Sequence, residues 1–559
     1  MNTGTNLPTA PPGLKERTCS NSAGTSLTTD DYALFLANLH GSYTYQTVNQ
    51  FALDFSGNTA GAKNWQTYTQ TLGTGTTDMR INNFSFYLQD QWRLTPKFMV
   101  NVGGRYEYEP YPQPTACNPD YPQTCHINRQ AANIMPRISL SYRLNEKTVL
   151  RTGYGIFYAS IPGATLMNLF LTNGVTQQSV SLSSTQAAQF AAGPVFPYNL
   201  SAVPTGYQLS AASIQFAAPN WKTPYSEQAT LAIERELARD VTVTASYIWS
   251  RGVQLYGERD LNLPPLSSYN YTYTIADANG IPTGATYTTP MYLGPRPDSR
   301  YGAVVQAENG VTSSYNGLAL QVIKRFAHGL QGNISYTWSH EIDDGQGYGQ
   351  QSQNIYLSSA TTWLFNGNYK ADKGNGLEDQ RHRLAVNWVW SPTFSHQSGV
   401  IAKYLLNNWQ LSSLTTINSA RAYGNATVRV LDTPVVAGTL GPGVPGMFSN
   451  STLNGSGLSF RVPFWPVNAV DQPALYKSDA RLSKILPFGD DGRYKVYLNF
   501  EAFNISNSWS PTSMTTQAYT ESGGKLTLTP TAYGLGSGDS APPDGTLARR
   551  MQASIRFVF

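Results

Sequence analysis

The last nine residues read Met551-Gln552-Ala553-Ser554-Ile555-Arg556-Phe557-Val558-Phe559. Apolar side chains stand at 551, 553, 555, 557 and 559, with polar ones at 552, 554 and 556, the period-2 pattern of a strand with one apolar face. Chain ends are ordinarily frayed and polar, so a strand that runs to a final aromatic residue restricts the fold severely. A sheet that closes on itself removes its edges by pairing the last strand with the first. In a bilayer only helices and closed barrels satisfy every backbone group. The ending therefore points to a β-barrel of the outer membrane, with Ile555, Phe557 and Phe559 as its assembly signal.

Composition supports strands over helices as the spanning elements. Only 13% of the 559 residues are charged, while 12% are aromatic and 40% hydrophobic. No apolar run reaches the roughly 18 residues of a spanning helix. The apolar residues are dispersed at alternate positions, as in a barrel wall. The charge balance, 38 basic against 34 acidic residues, carries no basic patch with interleaved aromatics, so no nucleic-acid partner is expected.

Alternating segments come in pairs around very short turns. Residues 80–94 and 97–109 flank Thr95-Pro96; 136–145 and 147–158 meet near Asn145-Glu146; 225–237 and 240–251 meet at Ala238-Arg239. Residues 315–326 and 329–340 meet at Ala327-His328, and 477–487 and 493–505 flank Phe488-Gly489-Asp490-Asp491-Gly492. Each joint is of hairpin length. Within a strand one face is apolar: Val241, Val243, Ala245, Tyr247 and Trp249 alternate with Thr242, Thr244 and Ser246. Between the pairs lie long Gly/Ser/Thr/Asn/Tyr-rich stretches at about 110–135, 159–224, 252–314, 341–380, 418–476 and 506–548. Few soluble domains carry so many long loops. Walking back from Phe559, placed in the periplasm, every short turn falls on the periplasmic side and every long stretch outside, as in bacterial barrels. Only 391–407 is long for a periplasmic connection. One further strand around 41–55 brings the count to about 14, and a hairpin hidden in 418–476 would make it about 16.

Residues 1–30 are polar and read as a loop or disordered start, leaving 31–559 as the barrel portion. Met1-Asn2-Thr3-Gly4-Thr5-Asn6 shows neither a basic nor an apolar signal-peptide region, so the chain is expected either to be cytoplasmic or to be part of a longer protein. Cys117 and Cys125 bracket a turn-rich segment. In an oxidising compartment they would close a small disulfide loop and leave Cys19 over; the alternative is free thiols.

No catalytic constellation is legible: Gly-x-Ser-x-Gly and His-Glu-x-x-His are both missing, and no cofactor or metal is expected. His340-Glu341-Ile342-Asp343-Asp344 carries ligand-type side chains, as does Asp343-Asp344 with Asp372, but the spacing fits no calcium loop, and a solvated polar loop is the preferred reading. Arg381-His382-Arg383 reads as a barrel rim pairing with Glu378 and Asp379, with lipopolysaccharide phosphate as the alternative partner. Arg105, Glu107, Arg137, Arg143, Arg235 and Glu501 are the candidates for lining a polar lumen.

Phe84-Ser85-Phe86-Tyr87-Leu88-Gln89-Asp90-Gln91-Trp92-Arg93-Leu94-Thr95-Pro96, continued by Asn101-Val102-Gly103-Gly104-Arg105-Tyr106-Glu107, resembles the mid-barrel hairpin of TonB-dependent receptors. Further segments resemble the Oar-like group common in acidobacteria. They include Thr152-Gly153-Tyr154-Gly155-Ile156-Phe157-Tyr158, Thr223-Pro224-Tyr225-Ser226-Glu227-Gln228, Asp379-Gln380-Arg381-His382-Arg383 and Phe500-Glu501-Ala502-Phe503-Asn504. Their order, with Phe559 at the end, extends the resemblance over residues 80–559. It implies a barrel of about 22 strands with an N-terminal plug, a TonB box and a carboxypeptidase-regulatory-like domain. None of these N-terminal parts is visible, and roughly eight strands are unaccounted for. The expected function is binding and uptake of a large, unidentified solute by a truncated receptor barrel. The rival is a transport-inactive barrel serving adhesion, secretion or scaffolding. The resemblance implies outer-membrane lipid, lipopolysaccharide and the barrel-assembly machinery as partners, and the TonB complex only where a plug is supplied.

Overall fold

Thirteen strands pair in strict chain order into one antiparallel path. This is a computed structural model, and it describes residues 2–4, 41–55, 62–73, 79–128, 130–196, 198–209, 211–345, 363–397, 399–488, 493–509, 511, 513–529, 534, 536–537 and 549–559. The wall strands are β1 (Phe84–Thr95), β2 (Phe98–Tyr108), β3 (Asn133–Asn145), β4 (Thr148–Tyr158), β5 (Tyr225–Ala238), β6 (Val241–Asp260), β7 (Tyr301–Ala327), β8 (Leu330–Asp343), β9 (His382–Trp390), β10 (Trp409–Asn418), β11 (Leu475–Phe488), β12 (Tyr494–Phe503) and β13 (Arg550–Val558). This is the up-and-down antiparallel topology expected. Among the described residues no pairing joins β1 to β13.

Short turns gather at one end of the wall and long connections at the other, as the alternation predicts. One of the two-residue turns is His328-Gly329. Both residues have positive φ, 54° and 76°, the backbone that matches the twist of a two-residue hairpin. It lies one position past the joint read from sequence. Residues 489–492 of the β11–β12 turn, residues 5–30 of the polar start and Cys19 lie outside the described residues.

Register separates the two faces of the wall. Leu231, Tyr247, Leu318 and Trp338 face one another in a row across β5, β6, β7 and β8. All four are exposed, as are Leu482, Leu498, Ile555 and Phe557 on the same face further along. An exposed apolar band of this extent is untenable in water and fits lipid. Phe559 is 93% exposed and continues the parity of Ile555 and Phe557. Removal of Phe559 is expected to lower the amount of heat-modifiable, membrane-inserted protein several-fold; unchanged levels would discount it as an assembly signal.

The segment at 41–55 is not a wall strand. Gly41–Thr44 pairs with Thr67–Gly73, which pairs with Gln177–Ser183, in a separate sheet around buried Tyr43, Trp65, Tyr68 and Leu182. Val48–Phe55 is a helix, because Val48, Phe51, Ala52 and Phe55 recur at helical spacing. Nor does 418–476 add a wall hairpin. Its short strands Arg421–Gly424, Thr427–Val430 and Val470–Gln472 all pair off the wall path.

Several of the long connections carry paired strands of their own in their described parts. Strands β6 and β7 run 20 and 27 residues, far beyond the ~10 residues that cross a bilayer, and stay paired out to Asp260 and Val305. Above them a second sheet has the strand order Pro282–Tyr292, Leu266–Ala276, Lys525–Leu528, Gln517–Ser522 and Thr427–Val430. Three different connections contribute to this canopy. Its core includes Tyr273, Val428, Val462, Ala518 and Leu526, and the Tyr273 hydroxyl donates to the Leu453 carbonyl at 2.6 Å.

Candidate functional site

Strand alternation places five of the six lumen candidates on the same, polar face of the wall. Arg105 and Glu107 form an ion pair on the polar face of β2. Arg137 lies opposite Gly103 on that face, its guanidinium 4.6 Å from the Phe157 ring centroid, and Arg143 follows by parity. Glu501 pairs with Arg481 across β11 and β12. Arg235 does not belong to this set. It shares the face of Leu231 and Ile233, because lumen-facing Arg151 stands opposite Ala232 and Val149 opposite Glu234. The carboxylate lining the polar face there is Glu234, 3.7 Å from Arg151. Choosing the charged residue of β5 from sequence misses by one position, and one position reverses the face.

Cys117 and Cys125 are joined by a disulfide, with Cα atoms 4.8 Å apart. The ligand-type runs are dispersed by other partners. His340 Nε2 hydrogen-bonds Asn375 Oδ1, Asp344 accepts from the Thr312 amide at 2.6 Å, and Asp372 accepts from Arg461. No group of three or more metal-ligating side chains occurs among the described residues. Arg381 pairs with Asp379, and Glu378 with Arg421, so the rim pairing is made partly in another arrangement.

A concavity lies where the top of β6 meets the canopy. It is a cavity of about 590 Å³ whose lining includes Arg259, Asp260, Pro264, Tyr292, Phe365 and Asn366. Asp260 is its fixed centre. The carboxylate accepts from the Arg296 guanidinium at 2.8 Å and from the Asn262 and Val304 amides at 2.9 Å each. Asn366 bonds the Asp260 backbone twice, as acceptor and as donor. Asp260 is thus a positioning residue. Arg259, next in sequence, also lines the cavity, and its half-exposed guanidinium meets Glu308 at 3.1 Å. Tyr369 donates to the same Glu308 carboxylate at 2.7 Å. Gly367, at φ 72°, approaches the Arg259 side chain so closely that a Cβ would lie 2.4 Å from its Nε; only glycine suits both demands. A cation beside aromatic and proline surfaces can hold a flat, polar or anionic solute; it offers no nucleophile–base pair. Sequence reading missed this site because its residues come from two distant connections, β6–β7 and β8–β9, with no local motif. The one usable signal was Pro264-Pro265 at the end of an alternating strand.

Canopy electrostatics are pH-sensitive at Glu521. Its side chain is fully buried, and it accepts from the Gly524 amide at 2.9 Å. Burial, reinforced by Asp432, pushes its carboxyl up to about 7. The folded canopy therefore binds this proton more tightly than an unfolded segment would. Its stability is full below about 4.5 and declines as pH rises through about 7. Hydrogen exchange of 517–528, normalised to intrinsic rates, is expected to show more frequent opening at pH 8 than at pH 5; Glu521→Gln should flatten that dependence.

A profile of the outer membrane beta barrel domain matches residues 22–552. No curated protein is significantly similar. The solved structures similar to the chain include the outer membrane transporter YddB of Escherichia coli, at 11% identity and TM-score 0.41, with 78% of this chain and 42% of that one covered. They also include the siderophore receptor PirA of Acinetobacter baumannii, at 9% and 0.39, covering 80% and 48%. A variant of the ferric enterobactin receptor PfeA of Pseudomonas aeruginosa follows at 12% and 0.39, covering 79% and 45%. The chain spans less than half the length of these proteins. With a sorted apolar and polar face across an up-and-down wall, and a profile match over nearly its whole length, the chain belongs to the outer membrane beta barrel domain family.

Proposed function

We propose that this protein forms the wall and loop portion of a TonB-dependent receptor of the Oar-like group, which binds a large polar solute at its outer loops and passes it along the lumen. The observation that carries the reading is the cavity beneath the canopy, where Arg259 at the top of β6, Tyr292 of the β6–β7 connection and Asn366 of the β8–β9 connection converge at the mouth of a charged inner face. Arg–Glu pairs along that face (Arg105–Glu107, Arg151–Glu234, Arg481–Glu501) give a wetted path or a surface for a plug to contact. The TonB complex enters as a partner through such a plug. No chemical conversion of the solute is part of the proposal.

The test compares cells that make the native protein, cells lacking it, and cells lacking TonB. Each is incubated with a defined mixture of ferric siderophores and oligosaccharides, and depletion of each compound is measured. Depletion that requires both the protein and TonB supports uptake. Depletion indifferent to the protein overturns it and favours the adhesion or scaffold reading. For a compound that is taken up, Asn366→Ala is expected to weaken cell-surface binding.

A further inference from the structure

The 391–408 connection is the one long link at the turn end of the wall, and it folds onto the wall's apolar outer face. Three contacts fix that placement. Trp390 and Phe394 meet edge to face at 6.2 Å, and Tyr404 lies 6.1 Å from Phe488. Lys484 stands on the same outer face as Leu482 and Leu498, yet it is only 8% exposed. It is covered because its ammonium donates to the Leu405 and Asn407 carbonyls, 3.2 Å from the former, and lies 4.7 Å from the Trp409 ring centroid. A cation at the carbonyl end of a helical turn is well placed. The same cation facing acyl chains would be costly.

The connection is held as a body. The Asn407 side chain accepts from the Phe394 and Ser395 amides at 2.9 Å each and donates to the Ser395 carbonyl. The Trp409 indole donates to the Leu405 carbonyl at 2.9 Å. A single helical turn of the π type, Ala402–Leu406, closes the segment. Its outward surface is apolar: Val400 is 74% exposed, Ile401 68% and Leu405 64%. Lys403 is exposed beside them.

We propose that this connection is an interfacial foot, inserting Val400, Ile401 and Leu405 at the acyl-chain boundary of the phospholipid leaflet on the turn side. The occupant is lipid because the patch continues the lipid-facing band of the wall without a break. It is also rimmed by Trp390, Tyr404 and Trp409, the aromatic types that settle at membrane interfaces, and Lys403 is long enough to reach headgroups. The arrangement adds an anchor set outside the barrel circumference, at the end opposite the canopy.

The full chain, with Cys19 replaced by serine, is refolded into dioleoylphosphatidylcholine vesicles. Single cysteines at Ile401 and Leu405 carry an environment-sensitive nitrobenzoxadiazole dye. Ile555→Cys reports the wall and Gly284→Cys the aqueous canopy; heat-modifiable migration confirms insertion of each variant. The expected result is blue-shifted emission at 401 and 405, quenched by lipid spin-labelled near the headgroup and protected from iodide. Emission like that of Gly284→Cys, open to iodide and untouched by lipid quenchers, would overturn the proposal. Protection from iodide without lipid quenching would overturn it as well and assign the patch to a second copy of the chain. Val400→Asn with Ile401→Asn and Leu405→Asn, read by the wall dye at Ile555→Cys and a tryptophan-quenching profile, should lose the interfacial signal and keep the wall signal.

Discussion

Replacing Arg461 by alanine is expected to loosen the outer connections by about 3–5 kcal/mol, the cost of stranding a buried charge. Arg461 and Asp372 are 5% and 0% exposed and pair at 2.9 Å. The same guanidinium reaches the Ala371 and Val462 carbonyls, and the opposite carboxylate oxygen of Asp372 caps the Leu364 amide at 2.7 Å. Burial raises the Asp372 carboxyl, and Arg461 works against that rise. Without the arginine, Asp372 must take up a proton or draw in water, and either change loosens the contact between 363–375 and 459–470. Proteolytic cleavage within these two segments should rise steeply in Arg461→Ala while the wall keeps its heat-modifiable migration. The double variant Arg461→Met with Asp372→Leu should recover most of the protection, since removing both charges removes the penalty. Cleavage equal to wild type in Arg461→Ala would show that the pair holds nothing.

The register of the wall gives the second large effect. Leu320 sits midway along the paired part of β7, between Ala245 and Tyr336, on the lipid-facing side. Gln321 is its neighbour on the polar face. Leu320→Arg is expected to cost about 2–4 kcal/mol, the usual penalty for arginine near a bilayer midplane. Gln321→Arg puts the same side chain into the lumen and should lie within ~1 kcal/mol of wild type. Reversible denaturant unfolding in phospholipid vesicles measures both. Equal penalties for the two variants would mean that the faces are assigned wrongly.

The contrast between those adjacent positions explains what the sequence could reveal. Wherever an apolar residue recurred every second position, as along 241–249 and 551–559, strand and face were both legible, since lipid on one side and water on the other enforce the alternation. The same rule made the sides of the turns and long connections readable from one anchor, Phe559. It failed where charge stood on the wrong parity: Arg235 drew attention as a charged residue, although its neighbours Leu231 and Ile233 share its face. It also failed at 41–55, where Tyr43 and Tyr45 alternate like a strand and residues 48–55 switch to helical spacing. The candidate cavity was hidden for another reason. Arg259, Tyr292 and Asn366 are joined only by tertiary contacts, the Asn366 amide donating to the Tyr292 hydroxyl at 3.1 Å and the Asn366 side chain pairing with the Asp260 backbone. Polar, glycine-rich stretches do not advertise such pairings.

The canopy has a consequence for how such a surface can change over generations. Its sheet takes strands from three connections, so a length change in one shifts the register available to the other two. Surface variation here must come as matched substitutions across 266–292, 427–430 and 517–528, or as exchange of the whole set. Outer loops are usually the freely variable part of a barrel; in this protein the three that build the canopy form a single unit of inheritance.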